Sequence, residues 1–150
     1  MFTRHTFLRT AVVAGVVAAA LAACGQMKPS GSSDTYEAKL TPAQEVPPGS
    51  GSGTGNAEVQ FNKDNNMLSW KLTYSGLTGP AVAGHIHGPA AAGANAGVVV
   101  PFTNITAQPV TGQATITPAQ AADLAAGNWY VNVHTAANPG GEIRGQLQKR

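Results

Sequence analysis

Apolar and polar positions alternate along most of this chain. In "TYEAKL" the alternation puts Tyr36, Ala38 and Leu40 on one face. "AEVQF" sets Ala57, Val59 and Phe61 against Glu58 and Gln60, and "MLSWKLTY" sets Leu68, Trp70, Leu72 and Tyr74 against Ser69, Lys71 and Thr73. Successive strand side chains point to opposite faces, so this period of two predicts half-buried strands. The last two runs flank "NKDNN", whose Asn and Asp residues tolerate left-handed backbone, and the whole reads as an antiparallel hairpin. "GVVVPF" and "GQATIT" supply two more short strands. "NWYVNVH" and "EIRGQLQ", joined by "TAANPGG", close the pattern. "GSGSGTG" at 49–55 is expected to be a flexible loop. Only "TPAQAADLAAG" reads as helix, with Thr117 as N-cap, Pro118 at the first helical position and Gly127 able to end it, which predicts a short helix near 118–126. Short turn-bounded strands without strand–helix alternation predict an all-β sandwich or barrel of about seven strands. Phe61, Leu68, Trp70, Leu72, Ile86, Val131, Val133, Ile143 and Leu147 are its expected core.

The first residues carry a different pattern. "MFTRHTFLR" holds Arg4 and Arg9, and the apolar run "TAVVAGVVAAALAA" follows. Spanning a bilayer takes about 20 apolar residues, so this run is too short and has the shape of a secretory signal. It ends in "LAAC", which resembles the bacterial lipobox, in which the cysteine is acylated and becomes the first mature residue. The expected organisation is a signal peptide over 1–23, a flexible tether over 24–34 beginning at lipidated Cys24, and one domain over 35–150. The protein would then sit in a bacterial cell envelope, held to a membrane by its lipid on the periplasmic side or the cell surface. Cys24 is the single cysteine, so no internal disulfide is available.

Charge narrows the partners. Removing 1–23 takes Arg4 and Arg9 from the nine Lys+Arg, and the seven that remain balance seven Asp+Glu. No basic cluster offers itself to phosphate, so nucleic acid is not expected as a partner. There is no Gly-rich loop followed by Lys-Ser/Thr, and no Ser/His/Asp set, since Asp123 falls in the predicted helix.

The candidate chemistry lies in histidines. Beyond His5 the chain has His85 and His87 in "GHIHG" and His134 in "NWYVNVHT". On a strand His85 and His87 share a face while Ile86 points away. In the other run Tyr130, Asn132 and His134 share a face opposite Trp129, Val131 and Val133. With Ile86 and Val133 in the core, all three histidines fall on the outer, wet face of a sheet, where two imidazoles spaced i, i+2 can converge on one ion. Glu142, Tyr130 and Asn132 are candidates for a fourth ligand or for groups that orient the imidazoles. Glu142 reads equally as a surface partner of Arg144.

Three longer segments, "EAKLTPAQEVPP", "GHIHGPAAAGANAGVVV" and "LAAGNWYVNVHTAANPGGEIRGQL", resemble the CHRD domain, named for its repeats in chordin, over residues 35–148. That resemblance implies an immunoglobulin-like β-sandwich, often in secreted or lipid-anchored bacterial proteins, and implies no settled activity. More locally, "GHIHG" and "YVNVHT" resemble the copper-binding strands of Cu/Zn superoxide dismutases, which carry their histidines outside a Greek-key barrel. This second resemblance extends to His85, His87 and His134 alone. The mature chain lacks that family's bridging histidine, zinc loop and disulfide, so any site would hold one ion. Three neutral imidazoles suit Cu(II), Zn(II) or Ni(II), and the divalent affinity order favours copper, with zinc as the alternative. The leading expectation is a lipid-anchored copper-binding module. A structural or adhesion module whose histidines pin loops is the rival, and a mononuclear metalloenzyme with an open metal position is a third reading.

Overall fold

The computed structural model describes residues 32–150, together with Met1. The expectations for 1–31, lipidated Cys24 among them, lie outside the described residues. The chain forms β1 (Ser33–Leu40), β2 (Thr54–Asn62), β3 (Met67–Ser75), β4 (Ala81–His87), β5 (Val98–Pro101), β6 (Val110–Thr115), α1 (Pro118–Ala125), β7 (Tyr130–Thr135), β8 (Ile143–Gln146) and β9 (Gln148–Lys149). One antiparallel sheet runs β6-β3-β2-β1-β9 and the other β5-β4-β7-β8. The predicted hairpin pairs Ala57 with Leu72, Val59 with Trp70 and Phe61 with Leu68, which puts the apolar positions on one face. Those side chains meet Ile86, Val131, Val133 and Ile143 from the second sheet in one core, an all-β sandwich. All nine residues expected in the core are buried.

α1 begins as its sequence predicts. The Thr117 hydroxyl accepts from the Gln120 N–H, and the Gln120 side chain accepts in return from the Thr117 N–H. This reciprocal capping satisfies two donors that a helix start leaves open. Gly127, at φ +76°, follows its end.

Two expectations change. The glycines at 49–55 are not all loop: Gly53 and Gly55 are buried, and Thr54 opens β2. A Cβ on Gly53 would come within 2.9 Å of Ile143 Cγ2, and one on Gly55 within 3.1 Å of Ile143 Cδ1, so these glycines let the sheets close together. The final run "EIRGQLQ" is also not one strand. β8 pairs with β7, and after Leu147 the chain crosses to pair β9 with β1. Thr41 and Arg144 exchange backbone bonds of 2.9 and 3.1 Å at the same edge, tying β1 to β8. The sandwich is therefore stitched along one side, and the outer face of β4-β7-β8 is left to carry chemistry.

Candidate metal centre

Strand register sets the geometry of that face. Across β4 and β7, Ala83 lies opposite His134, His85 opposite Asn132, and His87 opposite Tyr130. Across β7 and β8, Asn132 lies opposite Arg144 and Tyr130 opposite Gln146. Asn132 thus stands in the middle of a grid whose neighbouring positions are the three histidines, Tyr130 and Arg144. Ile86, Val131 and Val133, the alternate residues, are fully buried beneath it. The predicted facing is borne out, and it follows from the period of two alone.

The three imidazoles converge. One ring nitrogen from each of His85, His87 and His134 lies within 4.8 Å of the others, a group able to hold a metal ion. His85 Nδ1 is 3.1 Å from His134 Nε2. The Asn132 Oδ1 position lies 3.1 Å from His87 Nε2 and 3.0 Å from His134 Nε2. Donors at 2.0–2.1 Å from one tetrahedral or square ion stand about 2.9–3.4 Å apart, so the spacings of 3.0 and 3.1 Å match ligand–ligand edges, while the histidine set, spread over 4.8 Å, draws in when it shares an ion.

Backbone carbonyls fix two of the rings. His87 Nδ1 lies 3.0 Å from the Ala96 carbonyl, and His134 Nδ1 lies 3.0 Å from the Pro139 carbonyl. A carbonyl only accepts, so each Nδ1 carries the hydrogen, and in the neutral ring each Nε2 presents its lone pair to the shared centre. Burial lowers the His85 pKa, with repulsion from His134 and His87 adding to it, against a bond that the ring donates to the Asn132 amide oxygen. Burial likewise lowers the His134 pKa, outweighing the Pro139 bond. Rings held neutral at pH 7 need shed no proton before they bind a cation.

The face is not the wet surface expected of it. His87 and His134 are only 8% and 9% exposed, while His85 is half-buried. The loop over 88–97 lies against His87 through the Ala96 carbonyl, the loop over 136–141 lies against His134 through the Pro139 carbonyl, and the first of these is pinned mostly through its own backbone. The Arg144 guanidinium donates to the Ala94 carbonyl at 2.6 Å and to Asn95 Oδ1 at 3.0 Å. Ala96 bonds the Tyr130 hydroxyl through its N–H and its carbonyl. Asn95 Nδ2 donates to the Val46 carbonyl. His85 therefore marks the open side of the cluster.

Two of the three extra candidates do not face the centre. Glu142 is neither a ligand nor an imidazole partner. Its buried carboxylate accepts from the Thr78 N–H at 2.6 Å, the Thr78 hydroxyl at 2.7 Å, the Thr135 hydroxyl at 2.6 Å and Asn138 Nδ2 at 3.0 Å. A desolvated carboxylate turns to where donors are. Burial pushes its pKa up, but the bonds from Thr135 and Thr78 together hold it below the usual value. The alternative surface pair with Arg144 does not form either, because Arg144 lies over the Tyr130 ring, 3.4 Å from its centroid. Tyr130 is committed as well: its hydroxyl bonds Ala96 and its ring stacks on His87 at 4.8 Å and 1°. Asn132 alone points into the cluster. Sequence reasoning missed Arg144 as the clamp on the covering loop, and the Ala96 and Pro139 carbonyls as ring anchors.

The fold and this cluster define an all-β sandwich that carries a histidine group able to hold a metal ion on the covered outer face of one sheet. The chain belongs to the CHRD domain family, whose match spans residues 36–147. No curated protein and no solved structure matches it.

Proposed function

We propose that this CHRD domain is a metal-binding module that holds one Cu(II) ion through His85, His87 and His134. The observation that supports it most is the pairing of convergence with preparation. Three imidazole nitrogens lie within 4.8 Å, and two of them have their lone pairs turned inward by carbonyl bonds to the opposite nitrogen. Such outer bonds fix ring orientation and raise ligand basicity in metal sites. Among divalent ions an imidazole set of this kind favours copper over zinc. In this reading the module is tethered through a lipid on Cys24 to a membrane of the bacterial envelope, the placement that the lipobox-like "LAAC" supports. With three protein ligands the ion keeps room for a further donor.

The test is metal analysis of tag-free protein, followed by calorimetric titration with Cu(II) and Zn(II). The reading expects one ion per chain, copper tighter than zinc, and affinity that falls steeply below about pH 6 as protons compete for imidazole. Substoichiometric uptake that survives loss of the histidines would end it.

A second reading has its own observation. His87 and His134 bond the carbonyls of two loops, 88–97 and 136–141, and so serve to pin them. If that is their whole role, alanine at either position unfastens a loop and leaves metal uptake untouched.

A further inference from the structure

We infer that Asn132 is a two-position switch in this centre: its amide turns its NH2 to the imidazoles when no metal is present, and its oxygen to the ion when one is bound. The inference rests on the metal-binding reading above and adds the fourth donor and the way the site changes on loading. Asn132 is 3% exposed and stands on β7 between the ligand-bearing β4 and the clamp Arg144 on β8. One end of its amide lies within 3.1 Å of two different ring nitrogens, His87 Nε2 and His134 Nε2.

The opposite nitrogen of each ring is hydrogen-bonded to a carbonyl, so in the neutral rings both Nε2 atoms are bare acceptors. Two bare acceptors facing an amide oxygen would bring three lone pairs together in a dry space. An amide NH2 offers one hydrogen to each ring and resolves the clash, and the two amide ends differ so little in shape that either fits. A cation among the nitrogens reverses the requirement. It takes both Nε2 lone pairs, and an amide nitrogen has no lone pair to give it, whereas the oxygen does. The inward end of the amide stands 3.0 and 3.1 Å from two ligand nitrogens, so an oxygen turned to that position occupies a ligand–ligand spacing. Rotation of the amide by half a turn about its terminal bond converts one state into the other without moving β7.

The resulting donor set is three imidazole nitrogens and one amide oxygen. A hard oxygen favours Cu(II) and Zn(II) over Cu(I), which prefers soft donors. Asn132 is thus also the residue that biases the site against reduced copper.

The test uses the purified chain without an affinity tag, with Cu(II) and Cu(I) as the probes. Asn132→Ala is expected to bind Cu(II) about 10- to 100-fold more weakly, the range typical for groups that tune a metal site. It should also change the electron paramagnetic resonance spectrum as water replaces the amide oxygen, and lose less affinity for Cu(I) than for Cu(II). Asn132→Asp keeps an oxygen of the same shape and adds charge, so it is expected to bind Cu(II) more tightly than the wild type; it also answers for the site if the alanine variant fails to fold. In the metal-free wild type, nitrogen-15 resonances should show His87 and His134 protonated at Nδ1 and bare at Nε2. Wild type that binds one Cu(II), with an alanine variant of equal affinity and unchanged spectrum, overturns the role of Asn132 and leaves the three-histidine site standing. An aspartate variant no tighter than wild type, or neutral rings protonated at Nε2, overturns it as well. Wild type that binds no Cu(II) overturns the metal-binding reading and the switch with it.

Discussion

Replacing Glu45 with glutamine should remove a pH dependence that has nothing to do with the histidines. Glu45 is 7% exposed, and its Oε1 has no hydrogen-bond partner. The carboxyl lies directly against Gly141, where a Cβ would collide with Oε1, so only glycine fits at 141. Burial raises the pKa from 4.5 to about 7, against the pull of Arg144 and a bond from the Val46 N–H. The folded state therefore holds this proton more tightly than the unfolded chain. Stability from the group is fully present below pH 4.5 and is lost as pH rises through about 7. At about 1.4 kcal/mol per pH unit of separation, the wild type should lose about 3 kcal/mol between pH 4 and 8 on this account. Glutamine cannot ionise, and any cost of seating its amide is constant across pH. Urea denaturation of both proteins at intervals from pH 4 to 8 isolates the effect, because every other titrating group is shared. The metal-free histidines contribute the opposite slope in both proteins: the lowered pKa values of His85 and His134 give stability above about 6.5 that is lost as pH falls. A stability difference between wild type and variant that stays flat from pH 4 to 8 would refute the reasoning and mean that Glu45 is ionised and solvated in the fold.

Three further perturbations test separate parts of the account. Gly88→Ala would drive a methyl into the ring of Trp129, which is fully buried and cannot yield, and should lower stability by about 1–3 kcal/mol in thermal or chemical denaturation. Glu142→Ala strands the donors of Thr78, Thr135 and Asn138 in a dry space and should cost about 3 kcal/mol; Cu(II) affinity should fall only through looser placement of the Pro139 carbonyl, so the donor set seen by electron paramagnetic resonance should not change. Cys24→Ser should abolish incorporation of labelled fatty acid and release the protein from the membrane fraction, since no thioether can form; continued labelling would contradict the lipid anchor.

The sandwich was legible because β1 and β2 and most of β3 have one dry and one wet face, and a period of two records that contrast directly, whereas β7 is buried on both faces. The same period placed His85, His87 and His134 together, since residues two apart share a face and the register of β4 on β7 brings the third ring alongside. What covers the face left no mark. The loop "GPAAAGANAG" is held largely by its own carbonyls at Ala94 and Ala96, which any residue there would present, and by the side chain of Asn95, whose partners Arg144 and Val46 lie about 49 residues away. Glu142 was misassigned for a related reason: its donors include Thr78, 64 residues away, and strand alternation says nothing about a side chain that turns at the end of a strand. The crossing from β8 to β9 was hidden because the alternation continues unbroken while the pairing partner changes.

The central claim, one copper ion held by three imidazoles, is tested most directly by electron paramagnetic resonance of tag-free protein loaded with one equivalent of Cu(II), beside the His85→Ala/His87→Ala/His134→Ala variant. The account predicts a single species in the wild type, with nitrogen hyperfine structure from three equivalent-type imidazole donors, and only weak, non-specific copper in the folded variant. The same spectrum and the same copper uptake in both proteins would contradict it.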